Sequence, residues 1–135
     1  MTLTIHSTFL PHTDPDASVT FYRDVLGFEV RLDVGRGDKR WVTVGAPGQP
    51  DTAIVLHPLT ANPGLTEHEK TVLAELVAKG TFFGENLAST DLDATFASLR
   101  SHGAEIAQGP TEQPWGARDL AVRDPSGNLL RIQAA

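Results

Sequence analysis

Cysteine is absent from the chain, which removes a disulfide framework, a thiolate nucleophile and every cysteine-ligated zinc or iron–sulfur site. That absence fits a reducing compartment, and a cytoplasmic protein is the expectation. Long apolar runs are lacking as well. No stretch approaches the ~18–20 residues that span a bilayer, and the opening MTLTIHSTFL has no basic region followed by an apolar core. Neither a membrane partner nor export is expected. Basic residues are in the minority and dispersed, with 11 Lys and Arg against 17 Asp and Glu for a formal net charge of −6. A nucleic-acid partner needs a basic stripe to neutralise phosphates, so none is expected. The same acidity favours encounter with a cationic small molecule.

What the chain does contain is a repeat. The stretch DPDASVTFYRDVLGFEV, Asp14 to Val30, returns as DLDATFASLRSHGAEI, Asp91 to Ile106. Asp14, Asp16, Ala17 and Arg23 face Asp91, Asp93, Ala94 and Arg100 at a constant offset (91 − 14 = 77). After one deletion, Gly27, Glu29 and Val30 face Gly103, Glu105 and Ile106 at an offset of 76. A period this long exceeds the ~20–50 residues of solenoid repeats, so two copies of one supersecondary module are expected within a single domain of 135 residues.

Read in order, Leu3 to Leu10 predicts a strand ending at Pro11. Asp14 is a fitting N-cap with Pro15 as first helical residue, and Val19, Tyr22, Val25 and Leu26 form one helical face that stops at Gly27. Strands follow at Phe28 to Leu32, Arg40 to Val44 and Ala53 to His57, with a turn at Gly35 to Asp38 and another at Gly45 to Pro50. Thr66 and Glu69 form a capping box for a connector helix closed by Gly80; its stripe of Leu73, Leu76 and Val77 packs onto the domain or onto a partner. The second module runs from a strand at Phe82 to Ala88 through a helix at Asp91 to His102 to a strand around Glu105 to Ala107. A loop containing Gly109, Pro110 and Pro114 leads to strands at Arg118 to Arg123 and Leu129 to Gln133, joined by the turn DPSGN, Asp124 to Asn128. Each module therefore reads strand, helix, three strands. The boundaries are 1–58 and 81–135, with a helical connector over 59–80. The predicted class is α+β: two βαβββ modules forming a curved mixed sheet, a cup with helices on its outer face.

FYRDVLGFEV at Phe21 to Val30 and RDPSGNLLRI at Arg123 to Ile132 resemble the two signature stretches of the vicinal-oxygen-chelate superfamily, which includes glyoxalase I, extradiol dioxygenases, fosfomycin-resistance transferases and bleomycin-resistance proteins. The likeness covers essentially the whole chain, and Glu112 to Arg131 is most similar to the bleomycin-resistance and uncharacterised branches. For enzymatic members the resemblance implies one divalent metal held by four His, Glu or Gln side chains, acting as a Lewis acid on two neighbouring substrate oxygens. Counting from the matched motifs carries those four positions to Ser7, Val55, Gly84 and Arg131. A guanidinium has no lone pair for a metal and carries a permanent positive charge. No metal and no cofactor are therefore expected.

Strand alternation puts Phe9, Trp41, Val55 and His57 on the cup face, opposite His6, while Trp115 is on a loop at its rim. Aromatic walls bind flat or cationic ligands by stacking and cation–π attraction, although Trp41 and Trp115 are also suited simply to packing. His57 reads as a ligand contact, an atypical metal ligand or an ordinary strand-end residue. Arg131 reads as a contact for an anionic or carbonyl group, or as half of an ion pair. The expected ligand-binding residues are thus Phe9, Trp41, Val55, His57, Trp115 and Arg131; no catalytic residue stands out. His68-Glu69 fails as a zinc-protease motif because Val72 occupies the last position. The expected function is metal-independent binding of a small organic molecule, as in bleomycin resistance. The alternative is a lyase, isomerase or dioxygenase with divergent metal ligands. The resemblance also implies a homodimer.

Overall fold

The computed structural model describes residues 2–135. Its compact units are Met1–Glu75 and Leu76–Ala135, and each contains one four-stranded mixed sheet. The first has strands β1 (Ser7–His12), β2 (Glu29–Val34), β3 (Trp41–Gly45) and β4 (Ala53–Pro58) in the order β1-β4-β3-β2. The second has β5 (Gly84–Ser89), β6 (Glu105–Glu112), β7 (Arg118–Arg123) and β8 (Leu129–Ala134) in the order β5-β8-β7-β6. In both, the first and last strands pair in parallel and the remaining neighbours are antiparallel. The duplicated topology is that of the predicted βαβββ modules.

Helix α1 (Pro15–Val19) starts as its residues dictate: Asp14 accepts a hydrogen bond from the Ala17 amide at 3.1 Å, and Pro15 enters the first turn. It then widens into a π-helical segment, Thr20–Val25, closed by the Leu26 amide donating to the Phe21 carbonyl. The widening was not readable from a 3.6-residue pattern. It leaves Phe21 and Tyr22 buried, with their rings edge to face at 5.2 Å. Gly27 then turns the chain at φ 75°. The capping box of α2 (Glu67–Lys79) forms in both directions, Thr66 N–H to Glu69 and Glu69 N–H to the Thr66 hydroxyl. In α3 (Leu92–Ser101), Asp91 caps the Ala94 amide at 3.0 Å as Asp14 does in the first module.

Three strands depart from expectation. β1 begins at Ser7, not Leu3, because its pairing with β4 starts at Ser7 with Ala53; Leu3 and Ile5 stay exposed. The strand also runs through Pro11 to His12. An edge strand tolerates proline there, since one row of its amides has no partner to serve. β6 continues to Glu112 through Gly109 and Pro110, which were read as loop. It too is an edge strand, and register shifts between Ile106 and Thr111 absorb the irregular residues. β5 starts at Gly84, so Phe82 and Phe83 precede it.

Alternation divides each sheet. In the first unit Leu10, Val42, Val44 and Leu56 are fully buried and Ile54 nearly so; in the second Leu120, Val122, Leu130 and Ile132 play that part. These positions form the helix-side core. Burying such side chains contributes about 1.5–3 kcal/mol each, which fixes strand register because a one-residue slip would expose them all. The connector's Val77 is also buried, so the exposed stripe of α2 consists of Val72 with half-buried Leu73 and Leu76.

Candidate functional site

The alternate positions of the first sheet face away from its helix. Phe9, Val55, Thr43 and Leu32 stand level across four strands. Beside them lie His57, Trp41 and Val34. Phe9, Leu32, Val34 and Trp41 are 55%, 56%, 47% and 38% exposed, an unusual concentration of uncovered apolar surface. Three rings gather there. The His57 imidazole lies 5.8 Å from the Trp41 ring and 6.3 Å from Phe9, centroid to centroid. Its Nδ1 is 2.8 Å from the Pro58 carbonyl. A carbonyl oxygen only accepts, so Nδ1 carries the proton and Nε2 is the ring position left to meet a ligand.

Two arginine clamps hold this sheet. Arg40 makes both its Nε and Nη2 bonds to Asp33 at 2.9 Å and reaches Asp16 at 2.6 Å, tying β2 to the start of α1. The Arg40 hydrogen bonds hold the Asp33 carboxyl below its usual range despite some desolvation. Arg31 donates to four backbone carbonyls, those of Ala46, Gln49, Pro50 and Thr52, which pins the β3–β4 turn. His12 is buried at the end of β1 and donates through Nε2 to the Arg40 carbonyl.

The corresponding face of the second sheet is polar. Asn86, Arg131, Ala121 and Gln108 stand level, with Gln133 and Asp119 on the next row. Asp119, 5% exposed, accepts from Gln113 at 2.8 Å, Gln108 at 3.2 Å and Arg131 at 3.4 Å. The Gln113 bond foremost, then Gln108 and the Arg131 charge, hold its carboxyl below the ordinary value against the opposing effect of burial. Sequence reasoning treated β7 only as a strand and missed this network. Its signal was parity, since Asp119 shares a face with Ala121 rather than with Leu120. Trp115 is at the tip of the β6–β7 turn, 73% exposed, where Gly116 closes the turn on Gln113.

The structure thus brings Phe9, Trp41, Val55 and His57 together on one face of the first unit. Arg131 belongs to the open face of the second unit, and Trp115 to its β6–β7 turn. His6 precedes β1, exposed, and shares a hydrogen bond with the Ser7 hydroxyl.

A model of the Glyoxalase/Bleomycin resistance protein/Dioxygenase superfamily matches residues 4–132. The chain belongs to this superfamily. YurT, an uncharacterized protein of Bacillus subtilis (strain 168), is 31% identical over 134 residues, 98% of each chain. The crystal structure of UcmS2 superposes with a TM-score of 0.85 at 32% identity over 98% of each chain. TnmS3, an antibiotic binding protein from Streptomyces sp. CB03234, gives 0.75 at 26% identity, covering 98% of this chain and 96% of its own. Superfamily membership makes the metal question concrete. Val55 and Gly84 have no side-chain donor atom, Ser7 offers one hydroxyl that is bonded to His6, and Arg131 is a cation paired with Asp119. These four do not fit a divalent ion. Among the described residues no three His, Cys, Asp or Glu side chains gather elsewhere to replace them. No helix of the described residues is long and apolar enough to cross a membrane.

Proposed function

We propose that this superfamily member binds a flat small organic molecule without a metal and withholds it, in the manner of an antibiotic-binding protein. The observation that carries the reading is the exposed pair Phe9 and Trp41 with half-buried His57 between them, on a sheet face whose superfamily metal position is a valine. Such a face does not suit Lewis-acid chemistry. It suits stacking, which contributes about 0.5–1.5 kcal/mol per aromatic pair beyond area burial. The His57 Nε2 and Val55 complete the contact set of the first unit, and Arg131 and Trp115 are the ligand contacts that the second unit offers by itself. The likeness to TnmS3 supports the same class of ligand, and the net charge of −6 favours encounter with a cationic one.

Titration with a bleomycin-type cationic glycopeptide while following tryptophan fluorescence tests this. Quenching should persist in Trp115→Phe and fall in Trp41→Phe to what Trp115 alone contributes. No quenching in the wild-type chain, or quenching that follows Trp115 alone, rejects the face as the site. The reading includes a homodimer, for which Val72, Leu73 and Leu76 of α2 offer contact surface. Sedimentation velocity on Leu73→Glu should then show a monomer, and unchanged mass would remove α2 from that role.

A further inference from the structure

The second unit holds a recess of about 480 Å³ at the start of β5, lined by residues 80–86 with Leu129 and Arg131. Its volume is within the ~300–1,000 Å³ range of ligand sites. Phe82 and Phe83 meet edge to face there at 4.5 Å, and Phe82 is 56% exposed. Arg131 presents five N–H donors, and one of them reaches Asp119 at a long 3.4 Å. Its side chain is 43% exposed, and it makes no other hydrogen bond among the described residues. Asn86, level with it on β5, likewise uses its side-chain amide in no hydrogen bond among the described residues.

A guanidinium that is 43% exposed and held by one long bond retains donors that match the two oxygens of a carboxylate. Asp119 does not line the recess and is itself buried beneath three donors, so the charge a ligand meets first at β8 is that of Arg131. We propose that this recess binds an aromatic carboxylate, its ring against Phe82 and Phe83 and its carboxylate on Arg131 and Asn86. The inference rests on the small-molecule reading of Arg131 and gives that contact a chemical class. Glu85 is level with buried Leu130, so its side chain is on the helix side of β5, opposite Asn86 and Arg131. The Arg131 charge supplies a signature that simple packing would not produce.

The probe is 1-naphthoate, with 1-naphthamide as its uncharged analogue, followed by backbone amide shifts on the whole chain. Naphthoate should move residues 80–86 and 129–131 and bind at least about tenfold more tightly than naphthamide. Arg131→Met should erase that preference and leave naphthamide affinity unchanged. The comparison of the two probes needs no variant, so it stands even where Arg131→Met fails to fold. Equal affinity for the two probes, shifts confined to other residues, or a folded Arg131→Met variant that keeps the preference would each overturn the proposal. A failed Trp41 titration removes the first-unit face and leaves these shifts to be read independently.

Discussion

Replacing Asp119 by Asn removes one charge at nearly constant volume, and its consequences follow from the three donors around it. Gln113 and Gln108 both donate to Oδ1, at 2.8 and 3.2 Å, and Arg131 donates to Oδ2 at 3.4 Å. An Asn side chain offers one acceptor oxygen, and its NH₂ must face either the glutamine amides or the guanidinium. Some donor is then left against a donor in a site only 5% exposed. The Arg131 contact is long and half in solvent, so it counts for little. The Gln113 bond to a buried carboxylate counts for about 1.5–3 kcal/mol. Asp119→Asn should therefore lower the melting temperature by roughly 5–15 °C at pH 7.

The pH dependence gives the sharper test. The folded carboxyl titrates below the unfolded value of about 3.9. Its contribution is complete above the unfolded value and disappears as pH falls through the folded one. The gap between wild type and Asp119→Asn should be constant from pH 7 down to about 5 and shrink below about 4. The same substitution should free the Gln113 side chain and loosen the turn that carries Trp115. Because the chain has two tryptophans, a Trp41→Phe background reports on Trp115 alone, and its fluorescence anisotropy should fall. Equal melting of the two proteins at pH 7, or a gap undiminished at pH 3, would show that the network is not held by the Asp119 charge.

The helix caps provide a paired expectation: Asp14→Ala and Asp91→Ala should each cost about 1 kcal/mol in urea denaturation, because each removes an equivalent bond to the third following amide. A cost near zero for either would show that its helix start is held by packing. Gly127 and Gly27 should separate sharply in thermal melts. A Cβ at Gly127 would meet the Val77 and Ala78 carbonyl oxygens at 2.7 and 2.6 Å, in addition to strain at φ 104°. At Gly27, φ 75° with nothing within 4 Å leaves only the left-handed strain of about 1–2 kcal/mol. Gly127→Ala should be the more damaging, and similar losses would contradict the close approach. Excess Mn²⁺, Ni²⁺ or Zn²⁺ should not raise the melting temperature, since an ion bound in the folded state stabilises by RT ln(1 + [L]/Kd). A concentration-dependent rise would overturn the metal-independent reading.

Elements whose signals are local were legible in the sequence. Asp14 with Pro15, Asp91, the Thr66–Glu69 box and the stops at Gly27, Gly80 and Gly103 all act through bonds or backbone angles within a few residues. Elements set by a distant partner were not. The start of β1 at Ser7 depends on where β4 begins, and the length of β6 depends on β7 following it past Gly109 and Pro110. The π-helical widening at Thr20–Val25 also escaped a pattern keyed to 3.6 residues per turn. For the site, alternation alone placed Phe9, Trp41, Val55 and His57 on one face. The Asp119 network required side chains from β6, β8 and the intervening turn to converge, which no linear spacing reveals.

The registers show where the two copies have diverged. Phe9 pairs with Val55 as Asn86 pairs with Arg131, and Val42 pairs with Leu56 as Leu120 pairs with Ile132. The same correspondence sets Trp41 against Asp119 and His57 against Gln133. At helix-side positions both copies keep aliphatic residues, because a polar side chain there would be buried without a partner. At the alternate positions one copy has rings and the other has an amide, a carboxylate and a guanidinium. Asp119 is fixed by its own buried network, whereas Phe9, Trp41 and Arg131 stay partly exposed and are not dictated by packing. On the proposed binding reading, the two faces divide the work: the aromatic one offers stacking surface, and the polar one offers directional hydrogen bonds.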